Sequence, residues 1–170
     1  MKLKVALIAA LVVKKAVLSE NCIGKPLILH SDNGSPMKGS TLKETLKNIG
    51  IEPSYSRPRV SNDNPYSEAL FRTCKYRPDF PYKGFASLEE GREWALSFVH
   101  WYNHIHRHSG IKFVTPYQRH TGQDIEILAA RKVLYEKARL LRPERWSGQI
   151  RNWNKKDVVL LNPESISNLL

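Results

Sequence analysis

The stretch Pro26-Leu27-Ile28-Leu29-His30-Ser31-Asp32-Asn33-Gly34 decides the fold. Its apolar run reads as a buried strand, and it ends in a polar cluster headed by a carboxylate. Parallel sheets collect their chemistry at the carboxyl ends of strands, where Asp32 falls. Asn33-Gly34 reads as a turn that keeps bulk away from that carboxylate. A second acid, Glu68, closes Asn62-Asp63-Asn64-Pro65-Tyr66-Ser67-Glu68, near the start of a predicted helix. Residues 33–67 separate the two. Paired carboxylates at such positions suit Mg²⁺ ions that drive phosphoryl transfer.

Working outward, residues 4–19 read as a helix, amphipathic or buried. Thr41 and Glu44 form a capping-box pattern, followed by Leu42, Leu46 and Ile49 on one face and by Gly50 as a stop. Residues 51–56 suit a second short strand. Residues 57–64 form a basic, polar loop, with Asn64 as the cap of a helix that has Pro65 at its first position. On that helix, predicted over 65–76, Glu68, Arg72 and Lys75 share one side. Tyr66, Leu70 and Cys74 share the other and are expected to pack inward. Ser87 and Glu90 make another capping box, and Leu88, Ala95, Phe98, Tyr102 and Ile105 recur at helical spacing to about His106. Thr115-Pro116 opens a short turn. Ile125, Leu128, Leu134, Ala138 and Leu141 suggest a final helix, and Val158 to Leu161 a short strand on a basic tail.

With 27 Lys and Arg against 16 Asp and Glu, the chain carries a net charge of +11 and a pI near 9.8, which points to an anionic partner. A hydrophobic content of 41% over 170 residues is enough for a globular core. Cys22 and Cys74 form no CxxC pair and no disulfide framework, the pattern of a reducing cytoplasm. The start, Met1-Lys2-Leu3-Lys4 followed by an apolar run, imitates a leader. Lys14-Lys15 follow at once without a small-residue cleavage site, so a helix of the fold is the better reading. The run is also shorter than the ~20 residues a membrane span needs, so no membrane partner is expected.

Four segments, LILHSDNGSPMKG (27–39), SRPRVSNDNPYSEALFRTCKYRP (56–78), FVHWYNHIHRHSGIKFVTP (98–116) and PERWSG (143–148) with LNP (161–163), occur in the order found in integrase-like (OrfB) DDE transposases of bacterial insertion sequences. The chain resembles that family over residues 27–163. The resemblance implies an α/β, ribonuclease-H-like integrase core using two metals, Mg²⁺ or Mn²⁺, for DNA strand transfer. Asp32 and Glu68 would be catalytic and metal-binding, as the second and third members of an Asp-Asp-Glu triad. No Asp occurs before Asp32, and Glu20 is the only earlier acid. The first ligand and the opening antiparallel strands are therefore expected to be missing, leaving an incomplete fold that is inactive alone. The expected organisation is a partial catalytic core over 1–120 and a basic helical extension and tail over 121–170. The expected partners are DNA, with intact transposase or a second copy of the chain beside it.

Arg57, Arg59, Arg72, Lys75 and Arg77 cluster around the Glu68 helix and are read as DNA-binding. Arg72 and Lys75 stand at the two positions where the family motif brings cations to DNA. The plainer alternatives are a solvated basic face and a Glu68–Arg72 salt bridge. His30, Asn33 and Gly34 are read as supports of the site, and Asp63 as a local capping residue. The alternative function is a non-catalytic remnant that binds DNA or transposase. A third is a small zinc-binding protein built on His100, His104, His106 and His108; four ligands in closed geometry are the usual requirement, and no cysteine is near.

Overall fold

The computed structural model describes residues 2–58 and 63–159, with side chains from Val5 onward. The chain divides into two compact units, with the boundary between Thr73 and Cys74.

The first unit opens with α1 (Lys2–Ser19), followed by β1 (Leu27–Ser31), α2 (Ser40–Asn48), β2 (Ile51–Tyr55) and most of α3 (Pro65–Lys75). β1 and β2 pair in parallel, with Leu27 opposite Ile51 and Ser31 opposite Tyr55. Successive side chains alternate between the faces of a strand. Leu27, Leu29 and Ile51 therefore point to one side, where they pack with Ala10, Val17, Leu42 and Leu46. On the other side Ile28 is 68% exposed, so the expected buried strand is covered on one face only.

The two edges of this small sheet differ. Ser56 N–H donates to the Ser31 carbonyl, 3.0 Å away. By alternation, the main-chain groups of Ile28 and His30 point away from β2. On β2 the alternation turns Pro53 outward, so its missing N–H falls on the outer edge, where proline is tolerated.

α1 buries a stripe of small residues, Ala6, Ala10 and Val17. A Cβ added at Gly39 would lie 3.3 Å from the Ala6 Cβ, so glycine at this position lets α1 approach the entrance of α2. The opposite side of α1 is apolar too, with Leu7, Ile8, Leu11 and Val12 exposed. The helix is thus neither amphipathic nor wholly buried. α2 starts at Ser40 with Gly39 at its cap and no side-chain cap bond, which corrects the Thr41–Glu44 capping box. The helix begins two residues earlier than that pattern requires, with Gly39 rather than Thr41 at the cap. Leu42 and Leu46 are buried as expected, and Gly50 takes φ 71° beyond the helix end.

α3 buries none of its residues. Tyr66 is 53% and Leu70 37% exposed, which corrects the expectation that they pack inward. Periodicity identifies an apolar face but not whether another layer covers it.

The second unit contains α4 (Leu88–His104), the 3₁₀ turn Ser109–Ile111, α5 (Pro116–His120), α6 (Asp124–Leu141) and the 3₁₀ turn Pro143–Arg145. Ser87 caps α4 by accepting from Glu90 N–H, while the Glu90 carboxylate accepts from Ala86 N–H rather than from Ser87. α4 ends at His104, and of its apolar residues only Phe98 is buried. Leu88 and Ile105 are exposed; the packed face is aromatic, with Trp94, Phe98, Trp101 and Tyr102 in successive ring contacts. The Thr115-Pro116 turn is the start of α5, closed by a full capping box between Thr115 and Gln118.

The second core is small: Val114, Leu128 and Trp153, with Ile111, Ile127, Tyr135 and Ile150 packed on it. Of the apolar residues that predicted α6, Leu128 is buried and Ile125, Leu134 and Leu141 are exposed. Lys112 and Phe113 both adopt left-handed backbone, φ 65° and 60°, an unfavourable pair for residues with side chains. Arg131 holds their carbonyl oxygens at 2.7 and 3.0 Å. Residues 151–159 form no strand, so Val158 and Val159 do not join a sheet; Leu160 and Leu161 lie outside the described residues. The tail is held by side chains instead: Trp153 is buried, Lys112 Nζ donates to the Asn152 carbonyl, and Arg119 donates to that of Lys156. Both cysteines are free thiols. No described helix is long and apolar enough to cross a membrane.

Candidate functional site

Ser31, the last residue of β1, is buried, and the next residue, Asp32, is exposed. The Asp32 Oδ1 accepts from Gly34 N–H at 3.0 Å, an Asx turn that orients the carboxylate. A Cβ at Gly34 would lie 2.9 Å from that oxygen, so a larger residue there would displace the carboxylate. Asn33 Nδ2 donates to the Ser56 carbonyl at 2.7 Å, tying the loop after β1 to the exit of β2. His30 pairs across the strands: its Nδ1 lies 3.0 Å from Ser54 Oγ and its Nε2 3.4 Å from Ser56 Oγ. His30, Asn33 and Gly34 thus pin the backbone on both sides of Asp32.

The exit of β2 is in turn tied to the start of α3. Asp63 is buried and accepts from Arg57 through the main-chain N–H at 2.7 Å, Nε at 3.0 Å and Nη2 at 2.7 Å. A planar guanidinium engaging both carboxylate oxygens gives a directional clamp. Asp63, read from the sequence as a local capping residue, thus engages Arg57. Its partner lies six residues upstream, and no periodic pattern announces the contact. Glu68 N–H donates to the Asn64 carbonyl at 3.4 Å as α3 begins.

Glu68 sits in the first turn of α3. At about 1.5 Å of rise per residue it lies roughly one turn from the clamp. Strand pairing, the Asn33 bond and the Arg57–Asp63 clamp thus tie both the loop that carries Asp32 and the residue two positions before α3 to the exit of β2. The Asp32 and Glu68 carboxylates are both exposed. That of Glu68 makes no hydrogen bond or ion pair among the described residues, so the Glu68–Arg72 bridge is not formed.

Carboxylate oxygens suit Mg²⁺, which keeps several waters and takes one or two protein carboxylates. The donor chemistry of Asp32 and Glu68 fits that cation. No group of three metal-binding side chains occurs among the described residues. The rings of His100 and His104 stack at 5.0 Å, and His104 lies against Tyr117. His106 contacts Trp101 and Tyr102, and burial followed by the neighbouring charge of His108 lowers its pKa.

The five predicted DNA-binding cations separate by environment. Arg57 is engaged by Asp63. Arg77 bonds Asp79 at 2.6 Å and stacks on Trp101 at 4.2 Å. Its hydrogen bond lowers the Asp79 pKa and raises that of Arg77. Arg72 and Lys75 are exposed on α3, and Arg59 lies outside the described residues.

Residues 49–116 match the integrase core domain family. That stretch contains Glu68, Arg72 and Lys75 but not Asp32, whose assignment rests on its position at the end of β1. The chain is also similar to the transposase for insertion sequence element IS904 from Lactococcus lactis subsp. lactis (strain IL1403), 30% identical over 91 residues. The alignment covers 53% of this chain and 36% of the transposase, so the chain spans about a third of that relative's length. Over its central stretch the chain is thus similar to the integrase core domain family, and over 91 residues to an insertion-sequence transposase.

Proposed function

We propose that this chain carries part of the DNA-joining core of a transposase, with Asp32 and Glu68 as its metal-binding, catalytic carboxylates. The observation that supports this most is that the Asp32 loop and the approach to the Glu68 helix are both bonded to the exit of β2, through Asn33–Ser56 and Arg57–Asp63. Residues 1–120 would supply the partial ribonuclease-H-like core and 121–170 the basic extension. When bound, Mg²⁺ or Mn²⁺ supplies charge to stabilise the phosphodiester during in-line attack by water or a 3′-OH. The protein's part is positioning. Gly34 N–H orients Asp32, and His30 and Asn33 hold the strand ends beneath it.

Arg72 and Lys75 would hold DNA phosphates on the Glu68 side of α3. Arg57 and Arg77, bonded to Asp63 and Asp79, would flank that face. The two-carboxylate set falls one short of the family's triad, so the 170-residue chain is proposed to bind DNA without joining it, as a non-catalytic module would. The partners are DNA and, through the outward main chain of Ile28 and His30, intact transposase or a second copy, since open strand edges promote association. The proposed location is cytoplasmic.

Mn²⁺ binding followed by electron paramagnetic resonance tests the site. Asp32→Asn and Glu68→Gln should each weaken it; loss with only one of them would mean that the acids do not share a cation. In DNA binding, the Arg72→Ala/Lys75→Ala double variant should reduce the salt slope by about two. An unchanged slope would remove DNA from that face, and strand joining by the chain alone would overturn the non-joining assignment.

A further inference from the structure

The segment Pro143-Glu144-Arg145-Trp146 has no role in the site above, yet its Arg145 and Trp146 line a cleft. The cleft, about 440 Å³, lies at the end of α6 and is lined by Ala138, Leu141, Arg142, Arg145 and Trp146. That volume falls within the roughly 300–1,000 Å³ of small-ligand sites. Three features give it chemistry. The Trp146 indole is half-buried and held edge-on against Tyr135, with ring centroids 6.0 Å apart. Arg142 and Arg145 are exposed on the same cleft, and the 3₁₀ turn Pro143–Arg145 sets their spacing. The acid beside them, Glu144, reaches Arg142 only at 4.0 Å, with both side chains more than 60% exposed. Such a pair is weak and readily exchanged for a phosphate.

We propose that this cleft binds an unpaired nucleotide, with the base against the Trp146 indole and its phosphate between Arg142 and Arg145. An indole face accepts any base, but only one released from its duplex stack, and paired guanidinium groups match phosphate oxygens. Single-stranded nucleic acid therefore fits better than a duplex or an acidic peptide, neither of which uses both the ring and the arginines. A plainer account is that basic residues near the last turn of α6 only complement the negative end of its dipole. That account gives Trp146 no part in binding. The choice of ligand rests on the DNA-handling function proposed above; the site itself does not involve Asp32, Glu68 or α3.

The test is fluorescence anisotropy with the full chain, using labelled oligodeoxythymidylate and a duplex of equal length. Trp146→Ala should weaken the oligothymidylate roughly tenfold or more, with duplex affinity within about twofold, and Trp146→Phe should restore most of the loss. Arg142→Ala/Arg145→Ala should lower the salt slope for the oligothymidylate by about two. Circular dichroism identifies any variant that fails to fold, in which case Trp146→Phe against wild type carries the comparison. Equal loss for both ligands with Trp146→Ala, unchanged oligothymidylate affinity, or displacement by polyaspartate as effective as by unlabelled oligothymidylate would each overturn the proposal. If duplex binding is absent while oligothymidylate binding still depends on Trp146, the α3 interface fails and this site stands.

Discussion

The two units hold themselves together by different means. In the first, α1 and α2 cover one face of a two-stranded sheet with small and aliphatic side chains: Ala10, Val17, Leu42, Leu46 and Ile51. In the second, the apolar core is three residues, and much of the remaining order comes from aromatic contacts along α4 and from cationic side chains bonded to main-chain carbonyls. Arg131 bonds both carbonyls of the left-handed pair Lys112 and Phe113 and also lies over Trp153. A small aliphatic core is sensitive to lost volume. A lattice of directed polar bonds is sensitive to lost geometry.

The largest test of that contrast is Leu46→Ala. Leu46 is 1% exposed, and truncating such a residue costs about 2–5 kcal/mol. Native-state amide exchange should show α2 and the strands losing protection while α6 keeps more of its own. Uniform loss across both units would mean that they unfold as one, and would break the comparison.

A smaller effect is expected from Arg131→Ala, at about 1.5–3 kcal/mol for hydrogen bonds to a charged group. Arg131→Lys should recover little of it, because an ammonium cannot span two carbonyls with a planar fork. Chemical denaturation with exchange at residues 108–114 would measure this. Full rescue by lysine would mean that charge, not geometry, secures the turn.

The smallest effect is on pH. In the second unit His106 has a lowered pKa, through burial and then the charge of His108. Asp79 also has a lowered pKa, chiefly through its hydrogen bond from Arg77. In both cases the unfolded chain binds protons more readily than the folded one. Stability is therefore fully present above the unfolded values, 6.5 and 3.8, and is lost as pH falls below them. Between pH 7.5 and 5.5 the α4 amides should lose protection slightly, and His106→Gln should flatten that change. Rising α4 protection on acidification would contradict the assignment.

The first unit was largely legible because its elements obey simple rules. The apolar run Leu27 to Leu29 made a strand, although Ile28 is exposed rather than buried; Leu42 and Leu46 marked the inner face of α2, and Gly50 ended it. Asp32 at the end of β1 and Glu68 in the first turn of α3 followed from strand polarity and from Pro65 at a helix start. The second unit was less so. Leu88, Ile105, Leu134 and Leu141 have helical spacing but stay exposed, while the packed positions include Trp94, Trp153 and Tyr135, whose period is irregular.

Local pattern by itself determined the helices, the two paired strands and which carboxylates stand at their ends, while it misplaced the start of α2 and a strand at Val158 and Val159. These depend on backbone preference and side-chain period, both properties of neighbours in sequence. The tertiary structure alone decided which faces are covered and which charges are engaged. Asp63 binds Arg57, Arg77 turns to Asp79 and Trp101, and Arg131 reaches carbonyls 18 and 19 residues away. A guanidinium on a long flexible stem can satisfy its hydrogen bonds with any acceptor within reach, and only the packed chain determines which acceptor that is.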